Sequence, residues 1–251
     1  MNPVAFHIFS WPVYWYGIMM ATAFLAGIAN WNFFARRQGR EPGFGSELAF
    51  WMMVCGIVGA RVAYVAANFR DFAADPLEII RIYRGGLVFY GGLIGAAAGV
   101  VGVARARREP LLPMADLAVS ALPLGHTIGR IGCFLNGCCY GSPTDCACGV
   151  FVEGALRHPT QLYEAAFNGA VYLLVFILFL RRPKPGTVLA CYLLAYPPGR
   201  FAIEFLRGDP RIHWLGLNAA QLTSLALFGI GLALWRWLRR RSEAADSQES
   251  P

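Results

Sequence analysis

Seven long apolar runs, separated by short clusters of basic residues, constrain the fold of this chain more than any other feature. Each run approaches the roughly 20 residues that a helix needs to cross a bilayer. The chain is 57% hydrophobic and only 15% charged, whereas soluble domains are about 25% charged. We therefore predict an all-α polytopic membrane protein with about seven transmembrane helices. The predicted spans are 13–34, 47–67, 87–104, 114–134, 161–180, 187–206 and 218–238.

The basic clusters also predict how the protein is oriented in the membrane. Arg36, Arg37 and Arg40 follow the first span, and similar clusters follow the third, fifth and seventh spans. Cytoplasmic loops carry such an excess of Lys and Arg, so we expect the N-terminus outside and the C-terminus in the cytoplasm. The first span is too long for a cleaved signal peptide, and no basic residue precedes it. Orientation thus accounts for the net charge of +7, and we predict no nucleic-acid partner.

The chain has the composition of a single domain. We predict one transmembrane domain over 1–241, because no internal repeat and no second type of composition is visible. The polar tail 242–251 has no apolar anchor, so we predict that it is disordered in the cytoplasm.

With this topology, the unusual polar residues of the spans all fall near the outer surface. They are Tyr16, Arg61, Tyr90, Arg130, Glu164, Arg200, Glu204 and Arg207. An arginine in hydrocarbon costs about 2.5–3.5 kcal/mol on insertion, so such residues mark functional sites by default. A single arginine could instead extend its charged end to the membrane surface. Arg200, Glu204 and Arg207 share one helical face, and Arg200 and Glu204 alone could form an intrahelical ion pair. Because all eight polar residues lie on the same side of the membrane, we instead predict one polar cavity that is open toward the outer leaflet.

At least three arginines are expected in this cavity, and they favour an anionic phospholipid headgroup as its ligand. The guanidinium fork binds phosphate through two hydrogen bonds and never loses its charge. A binding or transport protein needs nothing more. An enzyme must also stabilise a leaving phosphate, for which Arg130 and Arg200 are candidates, and it needs a general base. The candidate bases are Tyr90, His126 and Glu204.

Six segments, in order along the chain, resemble the prolipoprotein diacylglyceryl transferases. They are 15–17, 59–64, 85–95, 129–141, 157–164 and 199–207. The resemblance implies a bacterial inner-membrane enzyme with seven transmembrane helices and an active site toward the outer face. It implies transfer of the diacylglyceryl group of phosphatidylglycerol to the lipobox cysteine of a prolipoprotein, with formation of a thioether and release of glycerol phosphate. We expect no cofactor and no metal.

The resemblance also implies roles for individual residues. Arg130 and Arg200 match arginines that act on the phosphate side of the lipid substrate. Other functionally important positions of the family are matched by Tyr16, Asn136, Gly141, Tyr196, Glu204 and Arg207. Arg61 is expected to bind substrate with them, as part of the cavity.

Three positions depart from the pattern of the family. At the position of Tyr90 the family usually has a histidine, and that histidine is proposed as the base. At the positions of Cys133 and Cys138 the family usually has asparagine and glutamate. His126 lies one helical turn before Arg130 on the same face. A histidine of ordinary pKa, about 6.5, is a better base at neutral pH than a tyrosine at about 10. We hypothesise that His126 takes the proton and Tyr90 donates a hydrogen bond to substrate; the alternative is a neutral His126 bonded to a neighbouring helix.

Five of the seven cysteines lie between Cys133 and Cys148, in or near a loop expected to face an oxidising compartment. Disulfides persist there, so we predict one or two bridges, and one candidate arrangement pairs Cys138 and Cys139 with Cys146 and Cys148. The sequence does not fix the connectivity. A zinc site is a second interpretation, although the cysteine spacing is unusual for zinc. A third is a covalent lipid intermediate on Cys133 or Cys138.

Two other functions stay open at this point. One is a non-catalytic protein that binds or transports anionic phospholipid, and the other is a paralogue that uses a different acceptor. Release of glycerol phosphate that depends on an acceptor thiol separates a transferase from a binding protein. The outer loop 68–84 is a candidate contact for the acceptor peptide.

Overall fold

The computed structural model describes residues 3–208, 213–214 and 216–248. Most of these residues are helical. The contacts divide the chain into two compact units. The first unit comprises Met1–Asn30 and Val119–Pro251, and the second unit comprises Trp31–Ala118.

Helices make up most of both units. In chain order they are α1 (Trp15–Arg37), α2 (Phe44–Ala67), α3 (Phe69–Ala74), α4 (Phe89–Ala106), α5 (Leu111–Ser120), α6 (Leu122–Leu135), α7 (Thr160–Leu180), α8 (Thr187–Glu204) and α9 (Ala219–Gln248). The connection from α3 to α4 contains two short 3₁₀ helices, Pro76–Ile80 and Ile82–Arg84. α9 continues as a helix to Gln248, into the segment 242–251 that we predicted to be a disordered tail. Residues 249–251 lie outside the described part of the chain.

The strands of the described residues form three antiparallel hairpins of two strands each. The first pairs β1 (Val4–Ile8) with β2 (Trp11–Tyr14), directly before α1. The second pairs β3 (Val150–Val152) with β4 (Ala155–Arg157), directly before α7. The third pairs β5 (His213–Trp214) with β6 (Leu217–Asn218), directly before α9.

Six helical segments of the described residues are long and apolar enough to cross a membrane. They are α1, α2, α4, the segment Leu111–Leu135 that joins α5 and α6, α7, and Ala219–Glu243 of α9. This confirms a polytopic, mostly helical membrane protein. α8 corresponds to the predicted span 187–206 but is not among the six. Its second half contains Pro197, Pro198, Arg200 and Glu204, which make it less apolar than those six segments.

Glycines allow α2 and α4 to pack closely in the second unit. A Cβ atom on Gly59 would collide with the carbonyl oxygen of Gly91, and one on Gly95 would collide with that of Cys55. Small residues of this kind let helix backbones approach each other in membranes. Gly59, Gly91 and Gly95 of the segments 59–64 and 85–95 therefore have a structural role in this helix pair.

In the first unit, α7 packs against both α6 and α8, and α8 also packs against α9. The buried face of α7 is apolar toward its C-terminus, where it contains Val171 and Val175, and polar toward its N-terminus. The polar residues are Gln161, Glu164 and Asn168, all fully or almost fully buried. Because they recur at helical spacing, this face directs a carboxylate and two amides into the packing between helices.

Candidate functional site

A buried carboxylate, Glu164 of α7, lies at the centre of the polar residues of the first unit. Its side chain is only 3% exposed. Arg130 Nε lies 2.7 Å from Glu164 Oε2, while Arg207 Nη1 and Arg200 Nη1 lie 3.5 and 3.8 Å from Oε1. Glu204 pairs with Arg200 one turn away on α8. We call these five residues, Arg130, Glu164, Arg200, Glu204 and Arg207, the charge cluster.

The start of α9 fixes the second carboxylate of the charge cluster. Asn218 Nδ2 donates a hydrogen bond of 3.0 Å to Glu204 Oε1. Asn218 and Gln221 also cap α9 reciprocally, because each side-chain oxygen accepts a hydrogen bond of 3.1 Å from the backbone N–H of the other. The same asparagine therefore begins a helix and orients Glu204.

The charge cluster has an excess of positive charge, since it contains three arginines and two glutamates. Its arginines differ in exposure: the side chains of Arg130, Arg200 and Arg207 are 23%, 11% and 4% exposed. Arg130 uses Nε for its closest contact with Glu164, and its two Nη groups donate no hydrogen bond among the described residues. A guanidinium with a free, partly exposed pair of donors can bind an anionic oxygen pair.

Two aromatic side chains border the charge cluster. Tyr196 of α8 lies 5.4 Å from His126 of α6 between ring centroids and stacks on Tyr192 at the same distance. His126 interacts with the side chain of Asn168 and lies within electrostatic range of Arg130 and Arg200. The sequence-predicted residues His126 and Tyr196 are therefore brought to the predicted arginines. The role of His126 as the base stays a hypothesis.

Arg207 is held in place by the segment that follows α6. α8 ends at Glu204, so Arg207 lies beyond the helix and not on its face as predicted. Gly141 forms a bridge with Arg207, and its N–H donates to the carbonyl of His158 at 2.8 Å. A Cβ atom on Gly141 would lie 2.7 Å from His158 Cβ and from Leu206 O. Only glycine fits this close approach, which gives a steric reason for glycine at this position.

Tyr16 and Asn136 border the end of α6. Tyr16, in the first turn of α1, is exposed and lies within electrostatic range of Arg130. Its ring lies near Gly132, where an added Cβ would be 3.7 Å from Tyr16 Cδ2. Asn136 ends α6 with a backbone hydrogen bond of 3.0 Å to Gly132 O, and its side chain interacts with the Cys138 thiol. The structure thus brings both residues to the end of α6 that carries Arg130.

Three thiols converge next to the charge cluster. The sulfur atoms of Cys133, Cys138 and Cys139 all lie within 4.8 Å of one another, and all three side chains are half-buried. We call these residues the thiol cluster. A hydrogen bond with Cys133, and further ones with Cys138 and Arg207, lower the pKa of the Cys139 thiol to about 5. Burial raises the pKa of the Cys138 thiol.

The disulfide arrangement differs from the predicted pairing. Cys146 and Cys148 are joined to each other, while Cys138 and Cys139 are free. The suggested pairing of Cys138 and Cys139 with Cys146 and Cys148 does not form, because Cys138 and Cys139 turn toward Cys133 at the end of α6. One bridge does form, within the C-x-C segment.

Arg61 and Tyr90, the remaining predicted site residues, belong to the second unit. The Arg61 guanidinium donates to four carbonyls: Ile79 at 2.8 Å, Gly85 at 2.9 Å, Gly86 at 3.0 Å, and Glu78. Its buried side chain therefore fixes the connection between α3 and α4 onto α2.

Tyr90 lies in the first turn of α4, with an exposed side chain. Its ring packs edge-on against that of Phe89, with 5.6 Å between centroids. The proposed hydrogen bond from Tyr90 to substrate stays a prediction.

Sequence reasoning recognised Glu164 as a polar residue of a span but did not place it among the site residues. It also missed Asn218, Gln221 and Cys139. The spacing of Gln161, Glu164 and Asn168 on one face of an otherwise apolar helix is a signal for a buried polar surface. No comparable signal marks Asn218, which acts through the geometry of the α9 cap.

A family model and several relatives that match this chain carry the same family name. The family model described as prolipoprotein diacylglyceryl transferase matches residues 3–237. A phosphatidylglycerol–prolipoprotein diacylglyceryl transferase of Clostridium tetani is 34% identical over 253 residues, covering 97% of this chain and 100% of the relative. Relatives of the same name from a Nostoc species and from Pseudoalteromonas atlantica are also 34% identical, and cover 96% and 98% of this chain and 91% and 92% of their own lengths. Because the match spans nearly the whole sequence, including every residue of the charge cluster, the chain belongs to the prolipoprotein diacylglyceryl transferase family.

Proposed function

We propose that this protein transfers the diacylglyceryl group of phosphatidylglycerol to the lipobox cysteine thiol of prolipoproteins. The family and the names of its relatives support this activity. The main structural support is Arg130, whose two Nη groups donate no hydrogen bond among the described residues. Arg130 is also the most exposed arginine of the charge cluster, which has an excess of positive charge. This arrangement suits the phosphate of an anionic lipid.

The proposed reaction increases the negative charge on that phosphate. The thiolate sulfur attacks the diacylglyceryl carbon, the bond between this carbon and the phosphate oxygen breaks, and glycerol phosphate leaves with the bonding electrons. A phosphodiester with one negative charge thereby becomes a phosphomonoester with up to two. Arg130, with Arg200 and Arg207 behind it, provides positive charge where this charge develops. The thiol proton passes to a base, for which His126 remains our candidate.

We further propose that α8 is a seventh span and that the active site faces the outside of the bacterial inner membrane. α8 has 18 residues, which corresponds to a length of roughly 27 Å. Its charged residues pair within the charge cluster, as expected for ionisable groups inside a membrane. Arg36 and Arg37 at the end of α1 support a cytoplasmic location for that end.

The proposal is tested with purified protein in phosphatidylglycerol vesicles and a lipobox peptide. We expect glycerol phosphate release that requires the peptide thiol, and Arg130→Gln should reduce it by about 100-fold or more, as removal of a key charge-stabilising donor does in other enzymes. Arg107→Gln is the matched control, because Arg107 forms an exposed ion pair with Glu47. A binding or transport protein would retain lipid without releasing glycerol phosphate, and that result would refute the transferase. A paralogue that uses another acceptor would release glycerol phosphate only when a different thiol or another nucleophile replaces the lipobox peptide.

His126→Gln tests the base separately. Loss of turnover with unchanged lipid binding supports proton transfer by His126. Unchanged turnover assigns His126 to packing against Tyr196.

A further inference from the structure

The thiol cluster is the one group of three His, Cys, Asp or Glu residues in the described part of the chain whose ligand atoms converge closely enough for a metal ion. Its three sulfurs lie within 4.8 Å of one another. In a tetrahedral zinc site with Zn–S bonds of about 2.3 Å, the sulfurs are about 3.8 Å apart. The sulfur separations exceed this spacing by at most about 1 Å, a distance that rotation of cysteine side chains can supply.

The backbone around the thiol cluster is already fixed by α7. Gln161 Nε2 donates to the carbonyl of Cys138 at 2.7 Å, and Thr160 Oγ1 donates to that of Cys139 at 3.1 Å. Both donors are buried at the start of α7. The turn after α6 is therefore pre-organised, and the two cysteines are held toward Cys133. Metal sites require this kind of support around their ligands.

An odd number of thiols favours a metal ion over a disulfide. A bridge between any two members would leave the third unpaired, whereas a metal ion uses all three. Cys146 and Cys148 are not available as partners because they are joined to each other. Three thiolates and one divalent cation carry a net charge of −1. The Arg207 guanidinium, which hydrogen-bonds Cys139, supplies the compensating charge.

We propose that Cys133, Cys138 and Cys139 bind a thiophilic divalent cation, zinc, and that its fourth position takes the thiol of the acceptor peptide. Three protein ligands and one open position are the pattern of a catalytic zinc site. Soft thiolate ligands select zinc over magnesium or calcium. This proposal differs from our sequence-based expectation of no metal. It corresponds to the zinc interpretation of the cysteine cluster, but it uses only three of the five cysteines.

The second half of the proposal rests on the proposed transferase function. A thiol that coordinates zinc loses its proton, which passes to solvent or to His126. The bound sulfur then attacks the diacylglyceryl carbon, the carbon–oxygen bond to phosphate breaks, and glycerol phosphate leaves toward Arg130. The neutral thioether is a weaker ligand than a thiolate and dissociates. Zinc keeps its oxidation state throughout, so no oxidant or reductant is needed.

Metal binding is measured on the full-length protein in detergent, independently of activity. We expect about one zinc ion per chain by elemental analysis, the occupancy of a single site. Cadmium added to the metal-free protein should produce the ultraviolet charge-transfer absorption of a metal thiolate. Cys133→Ser, Cys138→Ser and Cys139→Ser should each weaken zinc binding by about 10-fold or more, while Cys191→Ser, at a free cysteine of α8, should not. In the wild-type protein, zinc should protect these three cysteines from alkylation. This measurement does not depend on the folding of any variant.

The acceptor position is tested with a lipobox peptide and its Cys→Ser counterpart. Only the cysteine peptide should increase the cadmium–thiolate absorption, by adding a fourth sulfur. No zinc, no cadmium absorption and no protection from alkylation would overturn the site. An unchanged spectrum with the cysteine peptide, or full transferase activity without metal, would overturn the acceptor position while the transferase proposal stands. Peptide-dependent absorption without glycerol phosphate release would support the zinc site and refute the transferase.

Discussion

Arg130 in the first unit and Arg61 in the second unit are both arginines of apolar helices, yet their partners differ completely. Arg61 donates to four backbone carbonyls, and to no carboxylate in the described part of the chain. Arg130 makes its closest contact with the carboxylate of Glu164 through Nε, and its two Nη groups donate no hydrogen bond among the described residues. Neutral carbonyls consume the hydrogen-bonding capacity of an arginine, whereas a single ion pair leaves part of it available to a ligand.

This difference separates structural arginines from functional ones within a membrane protein. A charged residue inside a membrane protein marks a functional site by default. That expectation does not distinguish an arginine that fixes a loop from an arginine that is available to bind an anionic ligand. The partners make the distinction. It leads us to expect that Arg61 variants act mainly on stability and Arg130 variants mainly on activity.

The largest effect is expected for Glu164→Gln. This change removes the counter-ion that Arg130, Arg200 and Arg207 share and leaves three positive charges, two of them on largely buried side chains, against one glutamate. Breaking a buried ion pair by removing one partner costs about 3–5 kcal/mol. Thermal unfolding in detergent should show this loss of stability, and Glu47→Gln, which removes an exposed partner of Arg107, is the control. Wild-type stability in Glu164→Gln would show that the arginines do not depend on this carboxylate.

Arg130→Lys should give the next largest effect, on activity and not on stability. Lysine keeps the charge but loses the planar fork that binds two phosphate oxygens. We expect transferase turnover to fall by about 100-fold, with a melting temperature close to that of the wild type. Turnover is measured as thiol-dependent glycerol phosphate release. A variant with near wild-type turnover would mean that a point charge is sufficient and that the free Nη pair does not determine function.

Arg61→Gln should reverse this pattern. The shorter amide cannot reach all four carbonyls of the α3–α4 connection, and each buried polar group left unpaired costs about 1–3 kcal/mol. We expect a lower unfolding temperature, and turnover per folded molecule that falls much less than in Arg130→Lys. Hydrogen exchange of residues 76–86 would increase selectively. Loss of turnover in a fully stable Arg61→Gln protein would return Arg61 to the substrate-binding residues, as the sequence predicted.

The sequence predicted the helical membrane fold and much of the charge cluster, because both depend on patterns within single segments. Apolar runs mark the spans, and Arg130, Arg200 and Glu204 are visible as charges inside them. The central position of Glu164 depends instead on distances between α6, α7 and the end of α8, which no single segment contains. The partners of Arg61 are backbone carbonyls, which have no sequence signature at all. The pairing of the cysteines likewise depends on where the turn after α6 directs Cys138 and Cys139.

The smallest effect is expected for Asn218→Ser, which tests how the charge cluster is oriented. Serine is a good N-cap residue, so α9 should begin normally, but its short side chain cannot reach Glu204 Oε1, the acceptor of the 3.0 Å hydrogen bond from Asn218. We expect a loss of about 1 kcal/mol, the size of one hydrogen bond, and a modest fall in turnover. Gln221→Ala is the matched control, because it removes one half of the cap and leaves the bond to Glu204 intact. Equal turnover in the two variants would show that Asn218 serves the helix alone, whereas a fall only in Asn218→Ser would extend the functional arginine network from Arg200 through Glu204 to the start of α9.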